Sequence, residues 1–318
     1  MSLRKLFAAA LLFLLHTVAA QAQSCSFSMS NVNFGGVNLL LGGRPTTTGT
    51  FTANCTGTAN STITICPNIG EGSGGSSSGN PRYLRSAGRI ANYNLFRDAA
   101  FSQIWGSYFW PFSPRPPVLS LTLDSVGAGS ATATVYAALS ETQPALTGTN
   151  YQSNFNGGHT LIDYGYAPAH SCSIRSSRST RAAFTVRMTN DKACNIQTSD
   201  LDFGNLTTLD AAHSATSSIG VTCTSGLPYN IGLSNGSGGG TGPTTRHMTN
   251  PSTTQVITYG IYRDAGHSQP WGSTVGSNTV ASSGTGLTQN FTAYGLIPAQ
   301  TQPPAGQYID TIIVTVSY

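Results

Sequence analysis

From residue 23 onward, apolar and polar positions alternate with a period of two, and no window carries apolar periodicity near 3.6 residues. Successive side chains of a strand point to opposite faces, so this pattern predicts strands half-buried against a core. Such segments are Thr62 to Ile65, Leu119 to Leu123, Ala131 to Leu139, Ala183 to Thr189, Val256 to Tyr262, Gln289 to Leu296 and Tyr308 to Tyr318. Between them lie turn signals and two Gly/Ser tracts, Gly70 to Gly79 and Ser234 to Gly242, which read as loops. Short strands at this spacing indicate an all-β chain folded as antiparallel sandwiches.

The first residues break the pattern. Arg4 and Lys5 precede an apolar run, Leu6 to Leu15, shorter than the ~20 residues that span a bilayer. Ala20-Gln21-Ala22 supplies a cleavage pattern, so residues 1–22 read as a signal peptide and the mature chain begins near Gln23. Export makes disulfides the default for the six cysteines, all of which lie beyond residue 22. Only 8% of residues are charged, glycine numbers 36 and lysine occurs at Lys5 and Lys192 alone, a composition suited to strands and tight turns. A remainder of about 300 residues exceeds what one core usually serves, so two domains are expected.

The landmarks repeat. Cys25 is followed nine positions later by Phe34-Gly35, and Cys194 nine positions later by Phe203-Gly204. Cys55 lies 30 positions after Cys25, and Cys223 lies 29 after Cys194. Asn94-Leu95-Phe96-Arg97-Asp98 with Trp105-Gly106-Ser107 matches Gly260-Ile261-Tyr262-Arg263-Asp264 with Trp271-Gly272-Ser273, the Asp-to-Trp spacing being seven in both. The chain therefore reads as a duplicated module, 23–190 and 191–318. Duplication makes Cys25–Cys55 and Cys194–Cys223 equivalent bridges, and leaves Cys66 and Cys172 either to close a third or to stay free. Features shared by both copies read as scaffold, so Arg97-Asp98 with its twin is taken as a structural pair and Trp105 as a packed indole. Features of one copy alone are where function is sought.

The final strand pattern places Ile312, Val314, Val316 and Tyr318 on one face and Thr311, Ile313, Thr315 and Ser317 on the other. Such a strand either leaves its backbone ladder open for another chain or sits centrally or on a blunted edge.

One segment has no twin: Tyr108-Phe109-Trp110-Pro111-Phe112-Ser113-Pro114-Arg115-Pro116-Pro117. Its prolines exclude an ordinary strand and stiffen a loop. Its aromatics either form an exposed hydrophobic finger or fold back as a satellite core. The finger reading takes Tyr108, Phe109, Trp110, Pro111, Phe112 and Pro114 as surface-binding, with the apolar bulge Leu39, Leu40 and Leu41 as a second candidate. The stretch Tyr151 to Tyr166, with Phe155, His159 and Tyr164, is a third. Residues 23–190 carry ten arginines against five acids, and 191–318 three basic against six acidic residues. A basic outer half favours anionic surfaces, although Arg175, Arg178, Arg181 and Arg187 read equally as a solvated strand face.

Catalytic chemistry finds no support, because the histidines are scattered in Gly/Ser-rich stretches and no HExxH occurs. No Cys or His spacing suits a metal, and the reading carries no cofactor and no nucleic acid.

The two Cys…Phe-Gly…Cys frameworks, the Arg-Asp…Trp-Gly segments and the ending Tyr308 to Tyr318 resemble the spore coat protein U domain. The resemblance spans both halves and is clearer in the second. That family includes subunits of archaic, Csu-type chaperone–usher pili. It implies immunoglobulin-like sandwiches, the C-terminal one incomplete and completed by a donated strand. The partners so implied are a periplasmic chaperone, an outer-membrane usher and the next pilus subunit, with Ile312, Val314, Val316 and Tyr318 as the contact strand. Shaft subunits there carry a donor segment before the first cysteine. Here Gln23 and Ser24, about 7 Å of chain, would precede Cys25, against the roughly 10 residues a donor strand needs. The resemblance thus implies a two-domain tip adhesin, exported to the cell surface, that attaches to abiotic or host surfaces and supports biofilm formation. A carbohydrate-binding adhesin and a coat or matrix protein without a dedicated ligand are the rival readings.

Overall fold

The computed structural model describes residues 23–318 except 111–113, 142, 144–145, 174–178 and the side chain of Leu41. The signal-peptide reading of residues 1–22, and Pro111, Phe112, Arg175 and Arg178, lie outside the described residues. The first half contains β1 (Ser24–Met29), β2 (Val32–Val37), β3 (Thr46–Thr56), β4 (Thr62–Pro67), β5 (Arg82–Ser86) and β6 (Arg89–Phe96). It continues with β7 (Leu119–Thr122), β8 (Ala128–Leu139), β9 (Asn150–Phe155), β10 (Leu161–Tyr166), β11 (Ser179–Arg181) and β12 (Phe184–Asn190). The second half contains β13 (Cys194–Thr198), β14 (His213–Cys223), β15 (Pro228–Leu233) and β16 (Arg246–Thr249). It ends with β17 (Val256–Tyr262), β18 (Val280–Ser283), β19 (Gln289–Ile297) and β20 (Val314–Ser317).

Each half packs one long sheet on a shorter one. In the first the orders are β1-β3-β8-β6-β5-β9-β12-β2 and β11-β10-β4-β7; in the second, β13-β14-β19-β17-β16 and β18-β15-β20. Alternation drives the packing: β3 turns Phe51, Ala53 and Cys55 inward and leaves its threonines toward solvent. Separate apolar clusters form around Phe51, Leu95, Trp105 and Val135, and around Ile219, Ile231, Ile261 and Trp271.

The duplication is visible atom by atom. Trp105 and Trp271 are both 1% exposed, and their indole N–H groups donate to Pro67 O at 2.7 Å and Ile231 O at 2.9 Å. Asp98 accepts from the Ser102 and Gln103 amides and the Ser102 hydroxyl; Asp264 does the same with Ser268 and Gln269. These bonds outweigh slight desolvation and hold both carboxyls below the ordinary aspartate value. The Arg-Asp repeat is therefore a turn device: the carboxylates are spent on loop amides.

All six cysteines are bridged, Cys25–Cys55, Cys66–Cys172 and Cys194–Cys223. The third bridge belongs to the first half alone and ties β4 to the chain beyond β10 across a separation of 106 residues. Loop-closure entropy for such a length predicts that the Cys66→Ser, Cys172→Ser double variant loses about 4–5 kcal/mol. Denaturant titration checks this, with the twin bridges intact as the internal control.

The ending departs from the sequence expectation. Residues 314–317 form β20 against β15, but 308–313 form no continuous strand, and their backbone meets the long sheet at an isolated bridge, Ile309 opposite Thr249. The amides explain this: Thr311 N donates to Ser237 Oγ and Ile313 N to Ser234 Oγ, so the Gly/Ser tract takes the bonds a ladder would make. Ile312, Val314 and Val316 pack on the core as the alternation requires, whereas Tyr318 is 60% exposed.

Candidate functional site

The aromatic loop is held at its base by backbone bonds from Gly106 and Ser107 to Arg115 O and Pro114 O. A Cβ at Gly106 would sit 2.0 Å from Pro114 O, so only glycine permits this approach. Asn68 Oδ1 accepts from Tyr108 N at 2.8 Å, and Ser107 Oγ accepts from Phe109 N at 3.1 Å. The aromatics then diverge. Trp110 is 7% exposed and lies over the Arg82 guanidinium at 4.4 Å, so it belongs to the packed interior. Tyr108 is half-buried beneath Arg115, and Phe109, at 37%, is the exposed ring among the loop's described residues. Tyr108, Phe109 and Arg115 line an open groove of about 550 Å³ with Cys172 and Ser173.

Pro114 is half-buried in this loop. Leu39 and Leu40 are half-buried in a 3-10 turn after β2, with Asn38 Oδ1 accepting from Leu40 N and Leu39 packed on the first core. Val37 O, just before that turn, accepts from Asp191 N at the junction with the second half. The leucine bulge is thus tied to the junction, while the aromatic loop is tied to β4 and the Cys66–Cys172 bridge. Within Tyr151 to Tyr166, Tyr151 and Phe155 are core residues and the His159 ring accepts from Gly72 N.

Sequence reasoning passed over the residue on which Trp110 rests. Arg82 is fully buried and donates to Ile69 O and Gly70 O, both at 2.8 Å, to Trp105 O at 2.6 Å, and to Asn94 Oδ1. Its twin Arg246 donates to Leu233, Ser234, Pro243 and Trp271 carbonyls. Burial lowers the Arg82 pKa to about 10, so it remains a cation at neutral pH. The usable signal was an arginine 23 and 25 positions before the paired tryptophans.

A second site follows from aligning the halves through these contacts. In the first half β12 lies between β9, antiparallel, and β2, parallel. It buries Phe184, Val186, Met188 and Asn190. In the second half, residues 201–206 correspond to β2 and residues 308–311 to β9, because Leu201-Asp202-Phe203-Gly204 occupies the place of Val32-Asn33-Phe34-Gly35 and Ile309 faces Thr249 as Gln152 faces Arg85. Among the described residues nothing takes the place of β12. Between the two flanks runs a groove of about 660 Å³ floored by Ile219, Leu233, Ile261 and Ala293. Asp310 closes one side, accepting from Ser237 N, Gly238 N and the Tyr259 hydroxyl. Burial, with the Asp310 carboxylate beside it, raises the Tyr259 pKa, so this hydroxyl stays a donor.

Known proteins share these features. A family model for the Spore Coat Protein U domain matches residues 11–156 and again 180–315. Protein U of Myxococcus xanthus is 32% identical over 73 residues, which cover 23% of this chain and 40% of that protein. The fold is similar to the CsuC–CsuE chaperone–tip adhesion subunit pre-assembly complex from archaic chaperone–usher Csu pili of Acinetobacter baumannii. There the TM-score is 0.54 at 16% identity, over 93% of this chain and 100% of that chain. The CupB6 tip adhesin from Pseudomonas aeruginosa aligns over 93% of this chain and 94% of its own, with a TM-score of 0.39 and 11% identity. With one family model matching in both halves, the chain belongs to the Spore Coat Protein U domain family.

Proposed function

We propose that this protein is an adhesive subunit of a chaperone–usher pilus, with 23–190 as its outer adhesive domain and 191–318 as the pilin domain that joins it to the fibre. The groove between residues 201–206 and 308–311 carries this reading. An apolar slot flanked by two strand-like segments, in the place that β12 fills in the other half, suits a strand supplied by another chain. In this reading a periplasmic chaperone fills it first and the next subunit replaces the chaperone during export through an outer-membrane usher. The first half, closed by its own β12, asks for no such strand and suits the outermost position.

Attachment is assigned to the exposed edge of the aromatic loop, Phe109 with the flank of Tyr108, rather than to the buried Trp110. Burying even ~100 Å² of apolar surface yields about 2.5 kcal/mol gross per tip, and several tips on one cell multiply it. The buried, cation-stacked position of Trp110 leaves it no face for a sugar ring and favours the apolar-surface reading over the glycan reading. The test is a Phe109→Ser variant in cells with intact fibres. Binding to polystyrene is expected to fall about tenfold or more, a loss of roughly 1.5 kcal/mol per contact. Gold-labelled antibody against 23–190 should mark fibre ends. Label along the whole shaft would overturn the terminal placement, and unchanged binding would remove the loop's role.

A further inference from the structure

The groove is acidic in a way its filled counterpart is not. Alignment through Cys25 and Cys194 puts Asp200 in the place of Asn31 and Asp202 in the place of Asn33. The shared bonds confirm the register: Asn33 Oδ1 accepts from Gly35 N, and Asp202 Oδ1 from Gly204 N. Asp310 takes the place of Ser153, since Ser153 Oγ accepts from Gly74 N as Asp310 Oδ1 accepts from Gly238 N. Three neutral positions around the first half's closing strand are therefore carboxylates around the second half's groove. All three line it, and no basic side chain among the described residues does.

The strand in the first half shows what faces these positions. On β12, Val186 lies opposite Val32, and Arg187 lies outward between Asn33 and Gln152. Thr185 N donates to Asn31 Oδ1 at 2.8 Å. A strand in the second groove meets Asp200 where Thr185 meets Asn31, and places opposite Asp202 the residue that corresponds to Arg187, which is in register with Asn33. The first contact becomes a charge-assisted bond to a backbone N–H. The second rewards a cation at that one outward position and penalises an anion there.

Accepting the reading of this groove as a strand acceptor, we propose that it selects a strand with alternating apolar side chains and a basic residue at the position opposite Asp202. The apolar positions supply affinity and the charge supplies choice among partners that share the same apolar alternation. Screening by salt distinguishes the two contributions, because the carboxylates are at the solvent edge.

The probe is a fluorescent peptide of residues 181–190, Arg-Ala-Ala-Phe-Thr-Val-Arg-Met-Thr-Asn, titrated into the full chain at low salt and followed by anisotropy. Its Arg187→Glu form is expected to bind about fivefold more weakly, the scale of one surface ion pair lost and one repulsion gained. Concentrated NaCl should shrink that difference. So should Asp202→Asn, which restores the first half's residue and keeps the bond to Gly204 N. Equal affinity of both peptides for the native chain overturns the charge selection and leaves the acceptor groove standing. If neither peptide binds, the acceptor reading itself falls.

Discussion

Extending the chain beyond Tyr318 with a short Gly/Ser linker and a copy of residues 181–190 is expected to raise the unfolding temperature of the second half by about 10 °C or more. In the first half these residues include all of β12, where Phe184, Val186 and Met188 are all at most 5% exposed. Each such side chain contributes about 1.5–3 kcal/mol on burial. The strand also closes two backbone ladders, one antiparallel to β9 and one parallel to β2. Ordering the added residues opposes this by 1–2 kcal/mol each before hydrogen bonding offsets it. With the two ladders offsetting most of that ordering cost, a shift of about 10 °C corresponds to a net gain of about 3 kcal/mol, since 1 kcal/mol moves the midpoint of a domain of roughly 130 residues by about 4 °C. Calorimetry should show the upper shift in one transition, with the first half unmoved. A scrambled copy of the same ten residues is the control, and an equal shift with it would mean that tethering, not strand insertion, stabilises the chain.

That experiment exploits a feature only partly legible in the sequence. The Cys…Phe-Gly…Cys frameworks and the Arg-Asp…Trp-Gly segments identify the duplication because covalent bridges and packed indoles tolerate little drift in spacing. They fall on β1, β3, β6 and their twins, and they pair Cys25 with Cys55 and Cys194 with Cys223, while leaving Cys66 and Cys172 open. What they do not locate is the closing strand. Ala183 to Thr189 is visible as a strand, but its place between β9 and β2 depends on pairing with segments some 30 and 150 residues away, which alternation alone does not encode. The Tyr308 to Tyr318 pattern overstates its strand for a related reason. Alternation reports which face meets the core, and Ile312, Val314 and Val316 do meet it. Whether a backbone ladder forms depends on a neighbour, and Ser234 and Ser237 hydroxyls bind the amides of Ile313 and Thr311 instead. The aromatic loop shows the same limit. Four aromatics and four prolines announce an unusual loop, but the inward turn of Trp110 is set by Arg82, which shares its strand with Arg85 and carries no local signal of burial.

Arg82 is also where a single substitution should do the most damage. Arg82→Met preserves length and apolar stem, yet removes the donors to Ile69 O, Gly70 O, Trp105 O and Asn94 Oδ1. The site is fully buried, so the Ile69, Gly70 and Trp105 carbonyls lose the donor that Arg82 supplies, while Asn94 Oδ1 still accepts from Leu95 N. Each orphaned carbonyl costs about 1–3 kcal/mol, which puts the loss at about 3 kcal/mol or more, a large part of the 5–15 kcal/mol that holds a typical domain folded. Arg82→Lys should fall between, since an ammonium reaches some of the carbonyls but cannot match their planar spread. Arg246→Met should injure the second half by the same route, through Leu233, Ser234, Pro243 and Trp271 carbonyls. Denaturant unfolding of the three variants checks the order, and a methionine variant as stable as the parent would show that these carbonyls find other donors. The consequence reaches the surface as well. Trp110 stacks on the Arg82 guanidinium and Phe109 is its neighbour in the chain, so the buried cation sets the floor from which the exposed ring is presented.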